Sequence, residues 1–327
     1  MKTQPVTHLL STLALAVAAL AAAPAQAYTG MFVFGDSISD SGNVAAATGV
    51  FSSLPTDNSF VPSLSYAPFG TFSNGLAWTT QLAGMLGLAA NPFYLGGTNF
   101  AFGGARISGA DVPVPTLTTQ LGYFLGATGG VAPDGALYIV QGGANDARDA
   151  ALAVGGGADL FTTAGAAGVA YAAGIGSIVD QLQAAGAQHI LVFNTPNIGV
   201  TPAAMAVPGG AYASAVVSGV MNGFLANRMA GEAGVSVFDS YSFLTYAVAN
   251  PAAFGFANVT DACGAVVNGV DCNSALFWDG IHPTAKMHSA IAGAVFAQVV
   301  PEPATYGLMA MGLLLVGAAA RRRASRG

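Results

Sequence analysis

The most conspicuous shortage in this 327-residue chain is charge: 9 Lys and Arg against 15 Asp and Glu, together 7% of residues. Roughly 25% is usual for soluble proteins. Hydrophobic residues reach 53% and glycine alone numbers 44. Polar and turn residues nevertheless interrupt every central apolar run within about a dozen positions, short of the roughly 17–25 that a spanning helix requires. The pattern predicts a soluble domain with hydrophobic ends. Lysine is nearly absent, and Lys286 is the sole one between residues 28 and 299. That scarcity excludes a phosphate-binding G-x-x-x-x-G-K-[ST] loop. No G-x-G-x-x-G is present. H-E-x-x-H is impossible because the one glutamate of that segment, Glu232, lies far from any histidine. The G-x-S-x-G elbow fails too, since Gly35-Asp36-Ser37-Ile38 continues with Ser39.

Each end reads as an address. Met1-Lys2, an apolar stretch from Leu9 to Ala23 and the small-x-small tripeptide Ala25-Gln26-Ala27 predict a signal peptide over residues 1–27. At the other end stand Val300-Pro301-Glu302-Pro303, 17 apolar residues from Ala304 to Ala320, and Arg321-Arg322-Arg323. The run is just long enough to cross a bilayer as a transmembrane segment over 304–320, with the arginines holding its end in the cytoplasm. The arrangement of residues 300–327 resembles the PEP-CTERM sorting signal of Gram-negative bacteria. That resemblance implies an exosortase-type processing enzyme as partner, transient inner-membrane anchoring, and a destination in the cell envelope or extracellular matrix. A plain C-terminal anchor is the alternative.

Between these ends, residues 28–299 hold Arg106, Arg148, Arg228 and Lys286 against 14 acids, a net charge of 4 − 14 = −10. Four dispersed cations make no basic patch, which excludes nucleic acid as a partner. Cys263 and Cys272 are the only cysteines. In an oxidising compartment a disulfide between them is expected, with two buried thiols as the alternative. Three histidines are too few, and too far from the cysteines, for a metal site.

The β-branched runs Met31–Phe34, Ala136–Val140, His189–Phe193 and Val235–Phe238 each end in Gly, Asp, Asn or a polar turn, as strands buried on both faces of a parallel sheet do. Helical segments are expected over 164–185, over 213–229 and after His282-Pro283 as far as Val299, with Pro283 in the first turn. The alternation predicts an α/β fold, a three-layer α/β/α sandwich with a mainly parallel sheet and its ligand site at the carboxyl ends of the strands. No second domain is expected in 28–299.

Chemistry concentrates at those strand ends. Phe34-Gly35-Asp36-Ser37 puts a serine just beyond the first strand, where a following helix N-terminus would favour negative charge. A nucleophilic hydroxyl needs a base, an orienting acid and oxyanion donors. Of the histidines, His189 opens a strand and reads as structural, and His288, two turns into the last helix, reads as exposed. His282 differs: Asp279-Gly280-Ile281-His282 sets a carboxylate three residues before the imidazole, close enough to fix its tautomer. On spacing alone a structural Asp–His pair is equally open.

These residues also carry a family resemblance. Phe34-Gly35-Asp36-Ser37 with Asp40, Gly42 and Asn43 resembles the first block of the SGNH/GDSL hydrolases. Asn99–Ala105 resembles the second, Gly143-Ala144-Asn145-Asp146 the third, and Asp279–Pro283 the fifth, in family order over about 250 residues. Phe72-Ser73-Asn74-Gly75 with Trp78, and Asn194-Thr195-Pro196, are similar to the lipase/esterase branch. The resemblance implies a flavodoxin-like fold, Ser37 as nucleophile, His282 as base and Asp279 as its orienting acid. It also implies an oxyanion hole from the Ser37 and Gly104 N–H groups and the Asn145 amide, with no cofactor. Gly104 as a plain turn residue and Asn145 as a loop cap stay open. Asp36, Asp40 and Asn43 read as braces of the loop. The implied activity is a secreted serine esterase or lipase acting on a small ester, lipid or acylated glycan. An O-acetyl-polysaccharide esterase, or a non-catalytic matrix protein on the same scaffold, is the alternative. Substrate preference is assigned to the loops Phe51–Phe69 and Thr201–Tyr212.

Overall fold

In the computed structural model, which describes residues 28–109, 114–300 and 312, four apolar runs become the strands of one parallel sheet. They are β1 (Met31–Phe34), β2 (Leu137–Val140), β3 (His189–Phe193) and β4 (Val235–Phe238), in the spatial order β1-β2-β3-β4. The predicted strands match to within one residue at each end. β2 is buried on both faces, as its unbroken apolar run requires. β4 is different: Ser236 and Val237 are exposed, because β4 lies at the sheet edge, where only one neighbour covers it.

Beyond β1 the extended segment around Asn99 runs alongside in parallel. Val33 N–H donates to Thr98 O (3.1 Å), Phe100 N–H to Val33 O (2.7 Å) and Phe102 N–H to Gly35 O (3.0 Å). This pairing brings Gly103 and Gly104 beside the turn that follows β1.

The helices are α1 (Asn43–Thr48), α2 (Trp78–Met85), α3 (Leu117–Ala127), α4 (Ala144–Gly155), α5 (Leu160–Ala184), α6 (Pro202–Met205), α7 (Gly210–Met229), α8 (Ser240–Ala249) and α9 (Ala285–Val299). Polar caps set several starts: Thr116 accepts from Thr119 N–H, Asp159 from Thr162 N–H and Asp239 from Ser242 N–H. On one sheet face Tyr138, Val140, Ile190 and Val192 pack against Phe124 of α3, Tyr171 and Ile175 of α5 and Met221 of α7. On the other, Trp78 at the start of α2 lies 4.8 Å, ring to ring, from Phe193. The layers are α/β/α. By length and composition α5 could cross a membrane, but here its stripe Tyr171, Ile175, Ile178, Val179 and Leu182 is buried in the core.

Two expectations are corrected. Pro283 is not in the first turn of the last helix: α9 begins at Ala285, and Pro283 instead pairs with Phe277 in an isolated bridge. No helix directly follows Ser37 either. A single turn closes there, Ser39 and Asp40 both donating to Asp36 O, and α1 starts only at Asn43. A small parallel pair, β5 (Asn258–Ala262) and β6 (Ala275–Phe277), stands apart from the main sheet. The Cys263–Cys272 disulfide closes the loop between them, which is the expected pairing. Residues 28–296 form one compact unit. The signal peptide over 1–27 and the transmembrane segment over 304–320 lie outside the described residues, apart from Gly312.

Candidate active site

The turn after β1, the segment after β6 and the N-terminus of α4 converge. Ser37 Oγ lies 2.8 Å from His282 Nε2, and His282 Nδ1 lies 2.8 Å from Asp279 Oδ2. Ser37 is 8% exposed, His282 3% and Asp279 0%. A carboxylate accepts only, so Asp279 sets the imidazole proton on Nδ1 and leaves Nε2 to accept from the serine hydroxyl. Asp279 is held in turn. Its Oδ1 accepts from Ile281 N–H (2.9 Å) and His282 N–H (2.7 Å), and its Oδ2 from the Tyr66 hydroxyl (2.8 Å). Burial first, then the Asp279 charge, raises the Tyr66 pKa and keeps its proton in place.

The turn that carries Ser37 is braced by side chains from across the fold. Gln120 of α3 pairs both ways with Gly35, accepting from its N–H at 2.8 Å and donating to its carbonyl at 2.9 Å. Gln141, just past β2, accepts from Ser39 Oγ at 2.7 Å. Asn99 Nδ2 donates to Ser39 O (2.8 Å), and the Trp78 indole donates to Ser39 Oγ (3.1 Å). Asp40 accepts from Gly42, Asn43 and Gly103 N–H groups, and Asn43 Nδ2 donates to Asn99 O and Ala101 O. Asp36, Asp40 and Asn43 thus brace the loop as predicted. Burial dominates the titration of Asp36, Asp40 and Asp146, raising each to about 6.

Ser37 and Asn145 line the same cavity as His282. Among the described residues neither Ser37 N–H nor Gly104 N–H has a protein acceptor. Gly104 sits at φ +82°, a conformation that strains any side-chain-bearing residue. Asn145, in the first turn of α4, spends one amide hydrogen on Ala105 O (2.9 Å) and keeps the other free. Gly143, ahead of α4 at φ +103°, has no room for a Cβ, which would lie 2.5 Å from both Thr195 Oγ1 and the Tyr171 ring.

Beside Ser37 and His282 opens a cavity of about 580 Å³. Phe193, Phe238, Phe243, Phe277 and Leu244 supply an apolar part of its lining, as do Ala203, Ala204 and Val207. Both loops singled out for substrate preference contribute, through Ser59 and Val61 and through Thr201–Gly210.

His288 departs from expectation: it is 2% exposed, and its Nδ1 accepts from Trp78 N–H at 3.2 Å. Burial foremost, with the His282 imidazole nearby, lowers its pKa to about 3, so it is held neutral. Its place on α9 faces the core. His189 is half-buried at the start of β3, its ring edge-on to Tyr28. Tyr66, Gln120 and Gln141 were not anticipated. The only signal for Gln141 is a polar residue terminating an apolar strand run. Phe72, in a stretch singled out in the sequence, packs 5.2 Å, ring to ring, from His282. Asn74 Oδ1 accepts from Ala285 N–H at 2.8 Å and so caps α9. Among the described residues no His, Cys, Asp and Glu cluster could hold a metal ion.

The family described as GDSL-like lipase/acylhydrolase matches residues 31–295, and the PEP-CTERM protein-sorting motif matches residues 299–323. An uncharacterised protein of the trpE-trpG intergenic region of Pseudomonas putida is 30% identical over 329 residues, covering 86% of this chain and 50% of its own. A GDSL esterase/lipase of Arabidopsis thaliana is 35% identical over 107 residues, 29% of either chain. This chain therefore spans about half the length of the first relative and under a third of the second. The crystal structure of a lipase/acylhydrolase from Enterococcus faecalis superposes with a TM-score of 0.40 at 12% identity, covering 84% of this chain and 97% of that one.

Proposed function

Since the chain belongs to the GDSL-like lipase/acylhydrolase family, we propose that it is an exported serine esterase that cleaves carboxylic esters through an acyl-enzyme on Ser37. The observation that carries this reading is the hydrogen-bonded series Ser37–His282–Asp279, 2.8 Å at each link. Ser37 Oγ attacks the ester carbonyl carbon while His282 Nε2 takes the hydroxyl proton. The oxygen turns negative and is met by the N–H groups of Ser37 and Gly104 and the free amide hydrogen of Asn145. The carbon–alkoxy bond breaks, and His282 returns its proton to the departing alcohol. A water molecule then gives its proton to His282 and attacks the acyl carbon. The carbon–Oγ bond breaks, the acid leaves and Ser37 recovers its hydrogen. Asp279 stays ionised throughout and steadies the imidazolium. No step calls for a cofactor.

The apolar cavity supports an acyl group longer than acetyl, since each buried methylene contributes about 0.8 kcal/mol to binding. Domain limits of 28–299, flanked by a signal peptide and the sorting segment, fit this reading. The sorting motif supports export in a Gram-negative bacterium, processing by an exosortase-type enzyme after transient inner-membrane attachment, and residence in the envelope or matrix. A fluorophosphonate probe tests the chemistry: the wild type is labelled and Ser37→Ala is not. In the same variant, hydrolysis of 4-nitrophenyl esters drops by about six orders of magnitude with circular dichroism unchanged. An unlabelled wild type would make the chain a non-catalytic protein on this scaffold.

A further inference from the structure

Apart from Val154, the residues of α4 that line the cavity are Ala144, Asn145, Arg148, Ala151, Leu152 and Gly155. Their spacing, i, i+1, i+4, i+7, i+8 and i+11, places them on one face of the helix. Arg148 follows Asn145 by one turn, about 4.5 Å along the axis.

Arg148 is the exception among the four cations of residues 28–299. Arg106 is paired bidentately with Asp149, Arg228 bridges Asp180 and Glu232, and Lys286 donates to two carbonyls above the Phe256 ring. Among the described residues Arg148 has no ion pair and no hydrogen bond, although its sequence neighbours Asp146 and Asp149 are both acidic. Asp149 turns to Arg106, and Asp146 accepts from Ile107 N–H. The cavity lining contains no carboxylate, so Arg148 is its only permanently charged group. A guanidinium presents a planar fork of donors matched to a carboxylate or phosphate. An unneutralised one in a domain of net charge −10, at a largely apolar cavity without carboxylates, is a vacant partner for an oxyanion.

We propose that Arg148 is a specificity-determining residue that selects esters bearing an oxyanion, a carboxylate or a phosphate, on the part of the substrate next to the scissile bond. This rests on the esterase reading above. Bound substrate would supply the negative charge that the cavity lacks, and the apolar lining would take the rest of the molecule.

The test compares Arg148→Gln with the wild type on paired esters, so that intrinsic reactivities cancel. 4-Nitrophenyl butyrate against 4-nitrophenyl hemisuccinate places the carboxylate on the acyl side. Phenyl butyrate against 4-carboxyphenyl butyrate places it on the alcohol side. 1-Butyrylglycerol against its 3-phosphate replaces carboxylate by phosphate. The expected result is a fall of about tenfold in kcat/KM on at least one charged ester, the worth of a charge-assisted hydrogen bond. The neutral members should change by less than about twofold, and Arg148→Lys should restore part of the loss. Whichever charged arm responds identifies the oxyanion and its side. Equal effects on charged and neutral members would overturn the proposal, because a side chain that only packs its stem along the cavity wall lowers both alike. Failure of the esterase reading would look different, with no neutral ester hydrolysed by the wild type.

Discussion

The turn that carries Ser37 and the cavity beside it are built on opposite principles. Around the turn Gln120, Gln141, Asn99, Trp78 and Asp40 hold backbone or side-chain atoms of Gly35, Ser39, Gly42 and Asn43. The cavity lining beside it is mostly apolar, with Phe193, Phe238, Phe243, Phe277 and Leu244 among its side chains. Reaction geometry tolerates little error, so it is over-determined by hydrogen bonds drawn from distant segments. Acyl recognition depends on area and volume, which many apolar side chains supply interchangeably. The chemistry should therefore be brittle and the selectivity malleable.

Removing a reaction-side group should give the largest effect. Asn145→Ala is expected to lower kcat by about 10²–10³ on every acyl length, with little change in KM. Steady-state kinetics on acetyl through decanoyl 4-nitrophenyl esters checks it, and a loss confined to long chains would erase the contrast between the two regions. Filling the cavity should act the other way. Leu244→Trp is expected to leave acetyl ester hydrolysis within about twofold while lowering kcat/KM for octanoyl esters about tenfold or more, the equivalent of two or more methylenes turned away. Uniform loss across lengths would show the lining to be part of the catalytic scaffold.

For His288, which ties α9 to Trp78 from behind the site, the expected effect is on stability and not on rate. An unfolded histidine protonates near 6.5, whereas His288 stays neutral in the folded protein down to about 3. Its contribution to stability is present above pH 6.5 and is lost as pH falls toward 3, at roughly 1.4 kcal/mol per unit. His288→Asn retains an acceptor for Trp78 N–H without the titration. The stability gap between wild type and variant should shrink at that rate between about pH 6 and 4, measured by denaturant unfolding. The buried Asp36, Asp40 and Asp146, raised to about 6, act with opposite sign. Their terms are shared by both proteins and cancel in the difference.

The same contrast explains what could be read from the residues alone. Strand runs and the Ser37, Asn145 and Asp279–His282 stretches are local, since each carries its signal within a few positions. The four strands were legible for that reason, whereas the pairing of Ser37 with His282, 245 positions apart, was implied only by the family resemblance. The bracing was not legible, because Tyr66 meets Asp279 across 213 positions and Gln141 meets Ser39 across 102. Nothing in a lone glutamine or tyrosine announces such a partner. His288 was misjudged because helical spacing without neighbours does not say which face is covered. The β5–β6 pair escaped notice because Asn258–Ala262, with Asn, Thr and Asp, lacks an apolar run.

The Ser37–His282 hydrogen bond spans 245 positions, and this separation also orders events in time. At about 5–20 residues per second the ribosome makes the serine some 10–50 s before the imidazole it depends on. Throughout that interval the growing chain has its hydroxyl but no base to take the proton. On the proposed mechanism, a copy that stops short of His282 has the hydroxyl without its base and is silent.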